Sequence, residues 1–279
     1  MRLLVIAAVL AAPALLPAQA PPAFVRERDE YAGWLATAPN SPLAAIAQQP
    51  IGAGLRLGPP GSDIPLAGSP EQRVTESGST VYLETADGRR AVPRDRPMRV
   101  GNYTISVAGA PGRSVLTVFA AKTERKRPQY FDYEASLALV GPLTPPEKRG
   151  TARVLAPDGV EVEAAEAGTV TVRIGGRPTR LTVRRIPTPG TEESELEIYF
   201  RDGTNGRGTY PAGRFVTLVP EVDGRYRLDF NRARNPFCAY STAYPCPAPW
   251  PGNTIPAPVR AGERYSGGGL SAPLPGVED

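Results

Sequence analysis

From Gly54 onward, glycine, proline and Asp-Gly pairs cut the chain into runs too short for helices, and this punctuation limits the fold more than any other feature. The runs 54–58, 79–84, 103–107 and 115–121 are rich in β-branched or aromatic residues. A second set, 151–155, 160–164, 170–174 and 180–183, alternates apolar with polar residues. Asp87-Gly88, Gly175-Gly176 and Asp223-Gly224 each stand between two such runs, where glycine supplies the positive φ that a tight hairpin needs. Leu196, Ile198 and Phe200 share one strand face, as do Tyr226, Leu228 and Phe230 on a later strand. Helix and strand patterns do not alternate and no internal repeat occurs, so the expected class is all-β rather than parallel α/β.

One helix precedes the strands. Phe24, Tyr31, Trp34 and Leu35 fall on one face of a 3.6-residue period over 23–38, and Pro39 closes it. A short helical turn is expected over 42–49. The reading by segment is a helical N-terminal part (21–50), a small β-sandwich (51–121), a charged linker (122–130) and a C-terminal β domain (131–264). That domain is read as a second sandwich or half-open barrel bearing an ordered Pro-rich loop. The Gly- and Pro-containing end, 265–279, is expected to be disordered. Residues 1–20 read as a removable signal: Arg2, then an apolar run to Leu16, then Ala18-Gln19-Ala20 as a small-x-small cleavage site. Export to the periplasm or the medium follows, and the mature chain holds no segment long enough to span a bilayer.

The 279 residues include no histidine. That removes Ser-His-Asp and Cys-His machinery, imidazole metal ligands and histidine proton shuttles. Two cysteines alone cannot complete an ordinary zinc site, so neither metal nor cofactor is expected. Without Arg2 the chain has 31 basic and 28 acidic residues, scattered along its length. No basic face with interleaved aromatics appears, and nucleic acid is not an expected partner. The one dense charge run, Lys122-Thr123-Glu124-Arg125-Lys126-Arg127, reads as a solvated connection or an anion-binding patch.

Residues 195–264 carry the polar side chains that a plain core does not need. A buried amide, guanidinium or carboxylate costs free energy unless it is paired. Asp202, Asp229 and Glu263 could converge as catalytic carboxylates. The turn 202–206 offers oxygens, Thr204 among them, yet departs from the calcium-loop spacing. Its Asp, Asn and Gly residues equally suit a strand-to-turn connection. Asn231, Arg232, Arg234 and Asn235 follow a strand directly. They suit a clamp on a carboxylate, phosphate or sugar, or a brace for loop carbonyls that no ladder satisfies. Tyr240, Tyr244 and Trp250, set among prolines, could stack a sugar or grip a peptide, or cover one sheet end. Cys238 and Cys246, in a chain read as exported, are expected to form a disulfide, with buried thiols and reactive thiols as the alternatives.

The strings Phe200-Arg201-Asp202-Gly203-Thr204-Asn205-Gly206, Thr209-Tyr210, Gly213-Arg214, Leu228-Asp229-Phe230-Asn231-Arg232-Ala233, Asn235-Pro236-Phe237-Cys238-Ala239-Tyr240 and Cys246-Pro247 resemble the bacterial family called domain of unknown function 1684. The resemblance is close over 195–263 and weaker back to Phe24, and it implies a largely β protein of uncharacterised activity. Such proteins often carry an acidic residue where Gly208 stands and a Glu at Gly252, beside Asn253. The first β region also resembles a forkhead-associated domain through Leu55-Arg56-Leu57 and Ser62-Asp63-Ile64-Pro65-Leu66. It lacks the histidine of that family's phosphopeptide site, so the resemblance implies the shape and not the activity.

Three functional readings result. The first is an exported binding or cell-envelope accessory protein, holding a small polar ligand or an envelope protein through Asp202, Thr204, Tyr210, Arg214, Asp229, Asn231, Arg232, Asn235, Tyr240, Asn253 and Glu263. The second is a histidine-independent hydrolase using paired carboxylates. The third is a purely structural motif with function in protein contacts.

Overall fold

The structure is a computed structural model that describes residues 19–121, 125–188 and 193–265. The expected signal segment up to residue 18, part of the charged linker and nearly all of the 265–279 tail lie outside the described residues. Helix α1, Pro22–Thr37, starts with proline at its first position, where the missing N–H is no loss, and Val25 N–H bonds to the Pro21 carbonyl. It ends where Ala38 turns extended ahead of Pro39. Phe24, Ala32 and Leu35 are its buried residues. Trp34 is only half-buried and meets Phe237 at 6.3 Å between rings, while Phe24 meets Tyr133 at 5.2 Å. The helix therefore packs on the C-terminal half.

The expected helical turn over 42–49 is a single 3₁₀ turn, Pro42–Ala44, followed at once by strand β1, Ala45–Pro50. Buried Ser41 caps the start of that turn: its hydroxyl donates to the Leu35 carbonyl and accepts from Leu43 N–H. Five of the next six residues then pair with 115–119, and that ladder outweighs local helical preference. Strands β2 (Leu55–Gly58), β3 (Ile64–Pro65), β4 (Gln72–Ser77), β5 (Thr80–Thr85), β6 (Gly88–Val92), β7 (Met98–Val100), β8 (Tyr103–Ala108) and β9 (Val115–Ala120) complete the first unit. They form two sheets, β1-β9-β8-β7 and β3-β2-β4-β5-β6. Between them lies a core of alternate residues that includes Leu57, Val74, Leu83, Ile105, Leu116 and Val118. The other face of the four-stranded sheet carries Gln48, Thr117 and Ser106 side by side in register.

The second unit contains β10 (Ala138–Gly141), β11 (Thr151–Leu155), β12 (Glu161–Ile174), β13 (Arg177–Pro187), β14 (Ser194–Asp202), β15 (Arg214–Pro220), β16 (Tyr226–Asp229) and β17 (Thr254–Ile255). Runs 160–164 and 170–174 are one long strand, bulged between Glu166 and Gly168. Its hairpin with β13 closes through Gly175 and Gly176 at φ +61° and +79°, the mirror-image turn that side-chain-bearing residues resist. The order β10-β16-β15-β14-β13-β12-β11 curls around a single core holding Val172, Leu181, Ile198, Phe200, Val216 and Leu228. A lone bridge between Thr144 and Thr169 draws the ends of the curl together without closing a barrel. The protein is thus mainly β, with an N-terminal helix and several antiparallel sheets. No helix among the described residues is long and apolar enough to cross a membrane.

Candidate functional site

Arg214 organises the polar C-terminal stretch. Its side chain and that of Asp202 are fully buried and pair at 3.0 Å. Arg214 also donates to the carbonyls of Val259 (2.8 Å), Ala261 and Glu263 (3.3 Å). The other Asp202 oxygen accepts from Thr204 N–H (2.8 Å), the Thr204 hydroxyl (2.6 Å) and Val259 N–H (3.0 Å). The pair fastens the returning segment 259–263 to the ends of β14 and β15. Gly262, at φ +73°, passes so close to Ala233 that a Cβ would lie 2.5 Å from its carbonyl oxygen.

Most of the other candidates are committed in the same way. Asp229 caps a 3₁₀ turn, Phe230–Arg232, by accepting from Asn231 N–H at 3.0 Å. Asn231 both accepts from and donates to the backbone of Glu134, as one more rung of a ladder would. Arg232 pairs with Glu27 of α1 and lies over the Phe24 ring. Asn253 bonds Thr182 N–H (2.7 Å), the Thr182 carbonyl (2.9 Å) and the Tyr199 carbonyl (3.1 Å), filling a fork where β17 enters between β13 and β14. Cys238 and Cys246 form the disulfide, with Cα atoms 5.5 Å apart, and the Tyr210 hydroxyl rests against both sulfurs.

Of the three carboxylates, only Asp202 pairs with Arg214; that of Glu263 acts on it by charge alone, and Asp229 stands apart in its cap. Only Glu263 keeps an uncommitted oxygen: Oε2 accepts from Asn235 N–H (2.8 Å) and the Tyr240 hydroxyl, and Oε1 accepts nothing among the described residues. Burial pushes its pKa up to about 7, against the Tyr240 and Asn235 hydrogen bonds and the charges of Arg234 and Arg214.

The open space lies elsewhere. A cavity of about 550 Å³ sits at the seam between the outer face of the β1-β9-β8-β7 sheet, helix α1 and the C-terminal unit. The first unit supplies Gln48, Ser106, Thr117 and Phe119; the helix supplies Tyr31 and Trp34. The C-terminal unit supplies Glu195 and Glu197 from β14, with Phe215, Arg234, Asn235, Phe237 and Asp158. Glu197 Oε1 accepts from the Thr217 hydroxyl (2.8 Å) and faces Arg234 at a loose 3.9 Å, while Oε2 is buried with no hydrogen bond among the described residues. Burial lifts the Glu197 pKa to about 7; Arg234 and Thr217 oppose this, and the neighbouring Glu195 adds to it by its charge and by a side-chain hydrogen bond to the protonated form. Asp158 is lifted to about 6 by burial.

Of the eleven expected site residues, only Asn235 lines this cavity. Glu195 and Glu197 went unnoticed because on an alternating strand they read as an ordinary solvent face. Their signal was two carboxylates two residues apart, on the same face as Tyr199, which is wholly buried.

A mainly β chain whose C-terminal half is tied by a buried Arg-Asp pair and a short disulfide loop is the class this architecture defines. The chain belongs to the family described as protein of unknown function (DUF1684), whose profile matches residues 123–264, just over half of the chain. All the ties around Arg214, Asp229 and Asn253 fall inside the match; α1 and the first-unit wall of the cavity fall outside it. Among solved structures, the solution NMR structure of the uncharacterized protein from gene locus rrnAC0354 of Haloarcula marismortui is 30% identical, over 50% of this chain and 76% of that one, with a TM-score of 0.43. No curated protein matches significantly.

Proposed function

We propose that this is an exported binding protein whose small ligand occupies the seam cavity, with the 195–264 motif serving as its scaffold. The observation that carries the reading is the convergence of Glu197, Arg234 and Asn235 on a concavity walled by Trp34, Phe119, Phe215 and Phe237. A few polar groups aimed into a largely apolar space of several hundred Å³ define ligand sites generally. The hydrolase reading gains less support, because Asp202 and Asp229 spend their oxygens on caps and ties. Export is supported by the character of residues 1–20 and by the Cys238–Cys246 pair, which suits an oxidising compartment.

Native mass spectrometry of the protein mixed with panels of sugars, organic anions and organic cations tests the binding reading. Ser106→Trp fills the cavity from a sheet face that points away from the first core, so adducts seen with wild type should vanish in the variant. Adducts that persist equally in Ser106→Trp would place the ligand somewhere else. Fractionation of the producing cell, with N-terminal sequencing of the mature chain, tests export; a full-length chain in the cytoplasm overturns that part.

A further inference from the structure

The polar end of the cavity is short of donors and positive charge. Glu197 Oε2 and Asn235 Oδ1 on its wall, and Glu263 Oε1 next to Asn235 but outside the lining, are buried acceptors with no hydrogen bond among the described residues. The residues themselves are 2%, 3% and 0% exposed, so water does not substitute freely. Glu195, Glu197 and Glu263 all act electrostatically on one guanidinium, that of Arg234. Arg234 is also shared with the Tyr31 ring, over which it lies at 5.4 Å. Asp158 is a further carboxylate on the cavity wall, with Glu195 and Glu197.

Charges on the facing walls do not restore the balance. Arg94, from the first unit, is spent on Glu76, the Ser114 hydroxyl and the carbonyls of Ser79 and Gly109. Arg96 is matched by Asp95. Helix α1 contributes only the neutral Tyr31 and Trp34. Arg214, behind Glu263, is held by Asp202. Arg184, opposite Glu197 in the strand register, lies over the Trp250 ring and does not line the cavity, so what the cavity wall lacks is a cation that can donate hydrogen bonds. A metal ion does not fit, since among the described residues no three acidic or cysteine side chains are grouped to hold one.

We propose that the cavity takes an organic cation, whose protonated amine meets Glu197 and Asn235 while its apolar body lies against Trp34, Phe119 and Phe237. This rests on the reading of the seam as a ligand site and names the class of that ligand. Aromatic faces beside an ammonium group add cation–π attraction to the charge pairing. The raised pKa of Glu197 fits a carboxylate waiting for a counter-charge. With that pKa at about 7, its ionised fraction rises from about one tenth at pH 6 to about nine tenths at pH 8, so affinity for the cation rises about tenfold over the interval. Glu263, lifted to the same range by burial, changes in the same direction.

Isothermal titration with three probes of one shape tests this: phenethylamine, 2-phenylethanol and 3-phenylpropionate, each at pH 6 and pH 8. Phenethylamine is expected to bind at least about tenfold more tightly than the alcohol at pH 8, one decade being the modest end for a desolvated charge pair. It should lose about that factor at pH 6 and release protons on binding. Glu197→Gln should abolish the preference for the amine and its pH dependence while keeping the affinity for the alcohol; Glu195→Gln, at the exposed position, should weaken amine binding less. Equal or better binding of the alcohol or the propionate overturns the inference and leaves the binding site standing. An unchanged preference in Glu197→Gln also overturns it. If none of the three binds, both the inference and the seam as a ligand site fail.

Discussion

Arg214→Met is the sharpest test of how the C-terminal half is held. Methionine keeps much of the buried stem and removes the guanidinium, so little cavity is created. What changes is charge and hydrogen bonding: Asp202 loses its partner at 3.0 Å, and the carbonyls of Val259, Ala261 and Glu263 lose their donor. Removing one member of a fully buried pair costs about 3–5 kcal/mol, because the remaining charge stays in low dielectric. For a chain of this size about 2–4 °C of Tm accompanies each kcal/mol, giving a fall of roughly 6–20 °C. The double variant Asp202→Leu/Arg214→Met removes the stranded charge and should recover part of the loss. Thermal and urea unfolding followed by tryptophan fluorescence reports the change, since buried Trp250 lies shortly ahead of the fastened segment. A loss under about 1 kcal/mol for Arg214→Met, well below the buried-pair range, refutes the idea that this pair fastens 259–263 to the sheet.

Asn253→Ala leaves the backbone of Thr182 and Tyr199 without its three side-chain bonds at the fork; a loss of about 2–4 kcal/mol is expected from the stranded groups, measured by the same unfolding curves. Cys238→Ser/Cys246→Ser opens a loop with a sequence separation of 8 and should cost roughly 2–3 kcal/mol, with no cysteine alkylated in unreduced wild type. Glu197 and Glu263 are pushed up to about 7 from 4.5, and Asp158 to about 6 from 3.8. Between those values the folded chain holds protons that the unfolded chain has released. Stability should therefore fall as pH rises from about 5 to about 7 and level off above, and Glu197→Gln should flatten the slope; urea midpoints that rise over this window contradict the assignment.

Much of the strand framework was legible because alternation and turn chemistry are local. Leu196, Ile198 and Phe200 share a core face as expected, and the Gly175-Gly176 turn forms at those two residues. The Asp87-Gly88 turn is displaced by one residue: Thr85 pairs with Gly88, so Ala86 and Asp87 make the turn and Gly88 opens β6. Asn231 and Asn253 were recognisable as polar residues in need of partners. Which backbone each would satisfy depended on segments 97 and 71 residues away, and no periodicity reports such distances. The same limit hid the cavity, whose walls come from α1, the outer face of the first unit and β14. A face such as Gln48-Thr117-Ser106 looks like solvent-facing sheet until the second unit closes over it.

On the proposed reading, the polar motif is scaffold and the ligand site is the seam. A crystal structure of the protein soaked with phenethylamine tests this most directly. The amine is predicted to lie between Tyr31, Trp34 and Phe119 with its nitrogen at Glu197. Density for the probe in the Asp202–Arg214 or Asp229–Asn231 clusters, with the seam holding only water, would contradict it.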